Sequence, residues 1–165
     1  GSTSSNFDPE PALRFLKHIA RVCGAGGGLL ISVDLKKDPV VLHRAYNDSQ
    51  GLTAAFNLNL LERINRELSS DFMLDSFKHY AFYSPIENRI EMHLVSQREQ
   101  EVHIGENSIL FRNGESIWTE SSYKFNIGEF EQLAAMAGFK VRNVWTDRQN
   151  WFSMQYLENI GSQPG

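Results

Sequence analysis

The spacing of apolar residues changes partway along this chain, and that change limits the folds open to it. In the segments 39–46 and 52–70, apolar side chains recur every three or four residues, as on one face of a helix. From Tyr80 onward they alternate with polar residues, as on half-buried strands. The alternating segments are 89–94, 101–104 and 108–111. The sequence therefore predicts a chain of the α/β class in which helices precede an antiparallel meander.

The two ends of the chain predict a second group of elements. A helix is expected from Asp8 until the glycine run 24–28, and a strand at 29–34 follows it. Because this strand is short and apolar, we expect an interior strand of a parallel sheet, with small-molecule contacts beyond its carboxyl end. Near the other end, the pattern predicts a strand at 118–125, a helix at 128–137 and paired strands at 140–146 and 152–157.

Composition excludes several classes of function. The chain has 165 residues, a net charge of −4 and no clustered basic stripe, so nucleic acid is not an expected partner. No apolar run is long enough to span a membrane and no secretion signal is present, which predicts a cytoplasmic protein. Its one cysteine, Cys23, cannot form an internal disulfide. We expect one folded unit over residues 1–165, and the oligomeric state is not predictable from these features.

Candidate site residues each have a plain structural alternative. Glu120 and Ser122 are two residues apart on a predicted strand, so they share a face and could bind the two nitrogens of an imidazole ring. They could equally form the outer face of an edge strand. Tyr46 and Met92 could be core residues, and Asn6 could be a turn residue.

Two further patterns predict structure rather than chemistry. The glycine run 24–28 follows a helix and precedes a strand, which is the reverse of a phosphate-binding loop and indicates a turn. His93 and His103 lie on predicted strands without the further ligands that a zinc site needs, so no metal is expected.

Several segments resemble the histidine-specific, S-adenosylmethionine-dependent methyltransferases of ergothioneine biosynthesis. Residues 1–7 resemble that family's Gly-Ser-Thr-x-x-Asn-Phe loop, although Ser4 and Ser5 stand where the family has an apolar residue and glycine. The most specific segments are Thr53 to Asn57 and the Glu-x-Ser-x-Lys-Phe pattern from Glu120 to Phe125. Further matching segments are 33–38, 45–48, 65–68, 87–92 and 144–147.

The resemblance implies a fold, a reaction and a set of binding residues. It implies the C-terminal part of a Rossmann-like methyltransferase, with the core at 1–38 and 126–160 and a mixed helical and antiparallel substrate-binding insertion at 39–125. The implied enzyme uses S-adenosylmethionine to convert L-histidine to trimethylhistidine (hercynine). The implied substrate-binding residues are Asn6, Tyr46, Met92, Glu120 and Ser122.

The resemblance leaves the cofactor residues and the catalytic residues unassigned. The family's cofactor loop corresponds to positions before Gly1, so the chain is expected to be a fragment that holds mainly the substrate half. An indole ring has one polar hydrogen and needs no Glu-Ser pair, so Glu120 and Ser122 favour histidine. The alternatives are an N-methyltransferase for another amino acid, such as an indole derivative, and a histidine-binding fragment without catalysis.

Overall fold

A computed structural model describes residues 9–161, apart from the side chain of Pro9. The chain divides into two compact units. Within the described residues, the first comprises 9–38, Pro85–Arg89 and 121–161, and the second comprises Pro39–Ser84 and Ile90–Glu120. The predicted insertion at 39–125 thus begins where the second unit begins, whereas residues 85–89 and 121–125 belong to the first unit. In the described residues, no helix is long and apolar enough to cross a membrane.

The first unit consists of two helices and a three-stranded sheet. Helix α1 spans Pro9–Cys23, strand β1 spans Gly28–Asp34 and helix α4 spans Ile127–Met136. Strands β7 (Phe139–Thr146) and β8 (Phe152–Asn159) complete the sheet in the order β1-β8-β7. Its core joins both helices to the sheet through buried side chains that include Leu16, Ile31, Val33, Phe130 and Leu157.

The predicted parallel setting of β1 is wrong. The strand pairs antiparallel with β8, with Ile31 opposite Gln155, and within the described residues it lies at one end of its sheet. Just beyond β1, Leu35 forms an isolated parallel bridge with Phe125. An apolar run indicates that a strand packs against helices, as β1 does. It does not indicate whether the neighbouring strand runs parallel or antiparallel.

The second unit contains the predicted helices and most of the alternating strands. Helices α2 (Pro39–Tyr46) and α3 (Leu52–Leu68) precede a short 3-10 helix at Leu74–Ser76. This unit holds β2 (Phe77–Ser84), β4 (Gln100–Ile104) and β5 (Asn107–Phe111), together with most of β3 (Arg89–Ser96) and β6 (Ser116–Tyr123). They form one sheet in the order β2-β3-β6 and a separate antiparallel hairpin, β4-β5. The predicted meander is therefore divided into two sheets.

Aromatic rings fill the core of the second unit. Phe72, Phe77 and Phe111 contact one another with ring centroids 5.4 to 6.2 Å apart, in edge-on or tilted arrangements that aromatic quadrupoles favour. Leu61 from α3 packs into the same cluster, which explains the apolar face that the sequence shows along this helix.

Leu61 and its neighbour Leu60 give a matched pair for testing this core. Leu61 is fully buried, whereas the Leu60 residue is 37% exposed. We expect Leu61→Ala to lower the free energy of unfolding by about 2–5 kcal/mol, because it removes buried contacts and leaves a cavity. Leu60→Ala should cost less than about 1 kcal/mol. Urea denaturation of both variants measures the difference, and equal losses would contradict this core assignment.

Asp48 anchors the start of α3 and predicts an acid dependence of stability. Its carboxylate accepts the amide hydrogens of Leu52 and Thr53 at 2.9 and 2.8 Å. These backbone hydrogen bonds, that of Thr53 above all, lower the pKa of Asp48 from 3.8 to about 2. Because the folded pKa lies below the unfolded value, the stabilisation is complete above about pH 5 and is lost as pH falls through the unfolded value towards about 2.

Asp48→Asn is the variant that isolates this effect, since asparagine keeps an oxygen acceptor but does not titrate. We expect the stability advantage of the natural protein over Asp48→Asn to shrink between about pH 5 and pH 2. Urea denaturation across that range measures it. An advantage that stays constant with pH would show that the Asp48 charge does not stabilise the helix start.

Candidate functional site

Strand β6 carries Glu120 and Ser122, the two residues that the sequence places on one face. Ser122 is buried and Glu120 is half-buried. The backbone carbonyl of Glu120 accepts a hydrogen bond from the indole Nε1 of Trp118 at 3.0 Å. This hydrogen bond from the Trp118 side chain fixes the backbone at Glu120.

Ser122 belongs to a buried network of charged groups in the first unit. The Nζ atom of Lys124 lies 2.7 Å from the Ser122 hydroxyl oxygen and 2.6 Å from Oδ2 of Asp34. The other carboxylate oxygen of Asp34 accepts from Lys37 at 2.7 Å. The Lys124 side chain is 0% exposed, and those of Lys37 and Asp34 are 8% and 10% exposed. The network contains two ammonium groups and one carboxylate that are almost completely shielded from water.

Breaking a buried ion pair by removing one of its two partners typically costs about 3–5 kcal/mol. An ammonium group has hydrogens to donate and no acceptor, so each bond from Lys124 has a fixed direction. Ser122 is consequently the acceptor in its bond with Lys124.

A second contact lies beside this network, at the segment that follows β1. Lys36 donates to Glu129 at 2.6 Å, in the first turn of α4. Burial alone would raise the pKa of Glu129, but hydrogen bonds from Lys36 and from the amide of Asn126 hold it below its usual value. Glu129 also forms a capping box with Asn126, so these two residues stabilise the start of α4.

Tyr46 and Met92 lie together in the second unit. Met92 is 2% exposed and packs with Leu42, Ala81 and Ile90, and Tyr46 packs against the same cluster. The hydroxyl of Thr119 donates to the backbone carbonyl of Met92 at 3.0 Å, which connects β6 with β3 beside this cluster. Asn6, the remaining predicted binding residue, lies outside the residues that the structure describes.

A histidine and an asparagine fix the backbone at Tyr46. The side chain of Asn57, which is 3% exposed, donates to the carbonyl of His93 at 3.1 Å and lies 3.0 Å from Nδ1 of His79. With Nδ1 as the acceptor, the other ring nitrogen of His79 donates to the carbonyl of Tyr46 at 2.8 Å. The ring of His79 thus connects the end of α2 to the buried side-chain amide of Asn57 on α3.

The sequence reasoning missed the roles of Asn57, His79 and Lys124. Asn57 is the last residue of the Thr-Ala-Ala-Phe-Asn segment, and Lys124 lies within the Glu-x-Ser-x-Lys-Phe pattern. Their positions in these specific motifs could have marked both as residues with a role. His79 lies outside these motifs and carried no such signal. A buried lysine cannot be recognised from the pattern alone, because its counter-charge, Asp34, is 90 residues away.

The glycine run forms a turn, as predicted. Gly24 and Gly26 have φ angles of 69° and 78°, which favour glycine, and the amide of Gly26 donates to the carbonyl of Asn159 at 2.8 Å. The Asn159 side chain donates back to the carbonyls of Ala20 and Gly24. Because these groups bind one another, the run does not fit a cofactor loop, and we assign no cofactor-binding residue within 9–161.

Each of the two strand histidines contacts a carboxylate, and His93 also stacks on aromatic rings. His93 lies 3.3 Å from Glu91 and stacks between Phe82 and Trp118, with centroids 5.6 and 6.1 Å away. His103 contacts Asp71 at 2.9 Å. In the part of the chain that the structure describes, no group of three or more His, Cys, Asp or Glu side chains is placed to hold a metal ion.

Comparison with known proteins adds relatives to this geometry. The chain is 41% identical over 156 residues to a histidine N-alpha-methyltransferase of Mycolicibacterium smegmatis, covering 93% of this chain and 49% of the relative. It is 30% identical over 160 residues to ergothioneine biosynthesis protein 1 of Neurospora crassa, covering 88% of this chain and 17% of that protein. The chain therefore spans about half the length of the mycobacterial relative that it matches.

The fold and the family agree with these relatives. The CcbJ methyltransferase of Streptomyces caelestis matches with a TM-score of 0.50 and 8% identity, covering 96% of this chain and 58% of that one, and this likeness shows the fold alone. Residues 1–159 match the family described as histidine-specific, SAM-dependent methyltransferases. The predicted α/β methyltransferase fold and the predicted family are both confirmed, and the chain belongs to the SAM-dependent, histidine-specific methyltransferase family.

Proposed function

We propose that this chain supplies the histidine-binding residues of an N-α-methyltransferase that transfers methyl groups from S-adenosylmethionine to L-histidine, giving trimethylhistidine. The observation that carries the proposal is the Glu120-Ser122 pair on one strand of a chain that belongs to this family. The mycobacterial relative is named for histidine N-alpha-methylation, which supports the same substrate. The proposal also includes the prediction that residues 39–125 form the substrate-binding part and that the enzyme works in the cytoplasm.

The proposed roles follow the chemistry of each side chain. A carboxylate only accepts, so Glu120 would accept from the ring N–H of histidine, and the hydroxyl of Ser122 would bind the other ring nitrogen. Met92 would contribute apolar surface beside the ring. Tyr46 and Asn6 would hold the α-carboxylate, as the family resemblance implies.

Positioning is the main contribution that these residues make to the reaction. S-adenosylmethionine, when bound, supplies a methyl group on a positively charged sulfur that is already an activated leaving group. Holding the ring and the carboxylate of histidine leaves the α-amino group as the one nucleophile directed at that methyl carbon. The α-amine of a free amino acid is largely protonated near neutral pH and must lose a proton before it can attack, and we assign no general base.

Two other functions stay open to experiment. The enzyme could methylate a different amino acid, such as an indole derivative, in which case tryptophan would bind in preference to histidine. The chain could also bind histidine without catalysing transfer, and its coverage of 49% of the mycobacterial relative favours testing this. Methyl transfer from S-adenosylmethionine to histidine, assayed with this chain and with the product of the complete reading frame, separates binding from catalysis.

Calorimetric titration tests the proposed site directly. We expect L-histidine to bind and L-tryptophan to bind at least about tenfold more weakly, because an indole ring cannot satisfy both Glu120 and Ser122. Glu120→Ala should weaken histidine binding by at least about tenfold, since it leaves a ring N–H without its acceptor. Titrations should use this chain and the complete reading frame in parallel.

Glu101→Ala is the matched control, because Glu101 is an exposed carboxylate on β4 of the second unit. It should leave histidine binding unchanged. Equal binding of histidine and tryptophan would contradict the assigned substrate. Equal effects of the two glutamate variants would contradict the assigned site.

A further inference from the structure

Strand β5 has one edge that is open within the second unit. It pairs with β4 on its other side, with Ile109 opposite Val102, and no further strand pairs with it within residues 9–161. The outer edge of β4, by contrast, is covered at His103. The amide of His103 donates to the Asp71 carboxylate at 2.6 Å, and its carbonyl accepts from the Asp71 amide at 3.3 Å. An open strand edge is a template for pairing with another strand.

The backbone groups on the open edge are those of Ser108 and Leu110. Because both backbone groups of His103 point towards Asp71, the residue opposite it, Ser108, also points its backbone groups away from the hairpin. Orientation alternates along an antiparallel ladder, so Leu110, two residues further on, faces the same way. The open edge therefore offers two N–H and two C=O groups.

The edge of β5 lacks the features that usually discourage pairing. Natural edge strands are commonly protected by a lysine, a proline or a bulge. Residues 107–111 read Asn-Ser-Ile-Leu-Phe and pair with β4 without a shift of register, so they contain none of these. Ile109 is 42% exposed and Leu110 is 60% exposed. The strand thus presents an uncharged, apolar and regular edge.

The residues that flank β5 make its edge complementary to itself. When two copies pair antiparallel about Ile109, Ser108 lies opposite Leu110 of the other copy, and Glu106 lies opposite Arg112. These even-numbered residues share the exposed face of the hairpin. Among the described residues, neither the Glu106 carboxylate nor the Arg112 guanidinium has a hydrogen-bond or ion-pair partner. The charges at the two ends of the edge therefore match a second copy of the same edge.

We propose that β5 is an interaction surface for a second copy of this chain, and that the two hairpins join into one antiparallel sheet. The pairing is two-fold symmetric, so each Glu106 contacts Arg112 of the other copy. A strand of five residues buries less area than the roughly 1,200 Å² of a stable interface. The dimer is therefore weak, with a Kd on the order of 10–1000 µM. This inference does not depend on the proposed function.

Charge exchange across the edge tests this surface. Sedimentation equilibrium of the chain at low salt, up to about 1 mM, should show a monomer-dimer equilibrium. Glu106→Arg places arginines opposite each other at both ends of the pairing, and Arg112→Glu does the same with glutamates. Each variant should raise the Kd by about tenfold, because two ion pairs are replaced by repulsion.

Two combinations should recover association. The double variant Glu106→Arg with Arg112→Glu exchanges the two charges within each chain and re-forms both ion pairs, so its Kd should return to within about threefold of the natural value. An equimolar mixture of the two single variants should form a heterodimer, because every arginine then faces a glutamate. Loss of folding in a variant cannot produce this recovery.

A backbone variant and a charge control complete the test. Leu110→Pro removes an outward N–H that the β4-β5 hairpin does not use, whereas Leu110→Ala keeps it. We expect the proline variant to abolish dimerisation and the alanine variant to weaken it less, with thermal unfolding used to confirm that both are folded. Glu99→Arg makes the same charge change as Glu106→Arg at an exposed residue outside β5, and it should leave the Kd unchanged.

Three results would overturn this surface. The first is a natural chain that remains monomeric at about 1 mM. The second is a dimer whose Kd is the same in the natural chain and in both single charge variants. The third is a mixture of those variants that associates no better than either one alone. None of these results would affect the proposed function, because histidine binding is measured separately.

Discussion

The buried pair of Lys124 and Asp34 is the interaction on which the proposed site depends. It joins the residues that follow β6 to the carboxyl end of β1, and both side chains are almost completely shielded from water. In such surroundings each charge needs its partner, so the positions of these two chain segments are fixed together. Ser122 is held by the same ammonium, and the proposed contact with substrate is therefore connected to the core of the first unit.

Much of the fold was predictable from spacing, because helices and alternating strands bury characteristic faces. The bounds of α2 were predicted as found, and the terminal strand pair and the glycine turn were also correct. The direction of β1 and the division of the meander were not predictable. Both depend on which strands pair, and a run such as Leu29 to Val33 presents the same apolar pattern to a parallel or an antiparallel neighbour.

In the site, as in the fold, local sequence patterns predict some features, whereas contacts between distant residues are not predictable. Alternation places Glu120 and Ser122 on one face, but no local pattern records that Lys124 lies against Asp34. Several polar residues in the family-like segments hold backbone groups. Asn57 donates to the carbonyl of His93, and Asn65 binds both the amide and the carbonyl of Phe72. Motif membership alone therefore does not separate residues that bind substrate from residues that hold the fold.

The proposed function requires Glu120 to accept from one ring N–H of histidine while the Ser122 hydroxyl binds the other ring nitrogen. Nitrogen NMR of L-histidine labelled at both ring nitrogens, bound at about pH 8, tests this most directly, because each nitrogen's shift reports whether it carries a hydrogen. The account predicts a single neutral tautomer, with one N–H and one hydrogen-bonded, unprotonated nitrogen. Two averaged shifts like those of free histidine, or a doubly protonated ring, would contradict it.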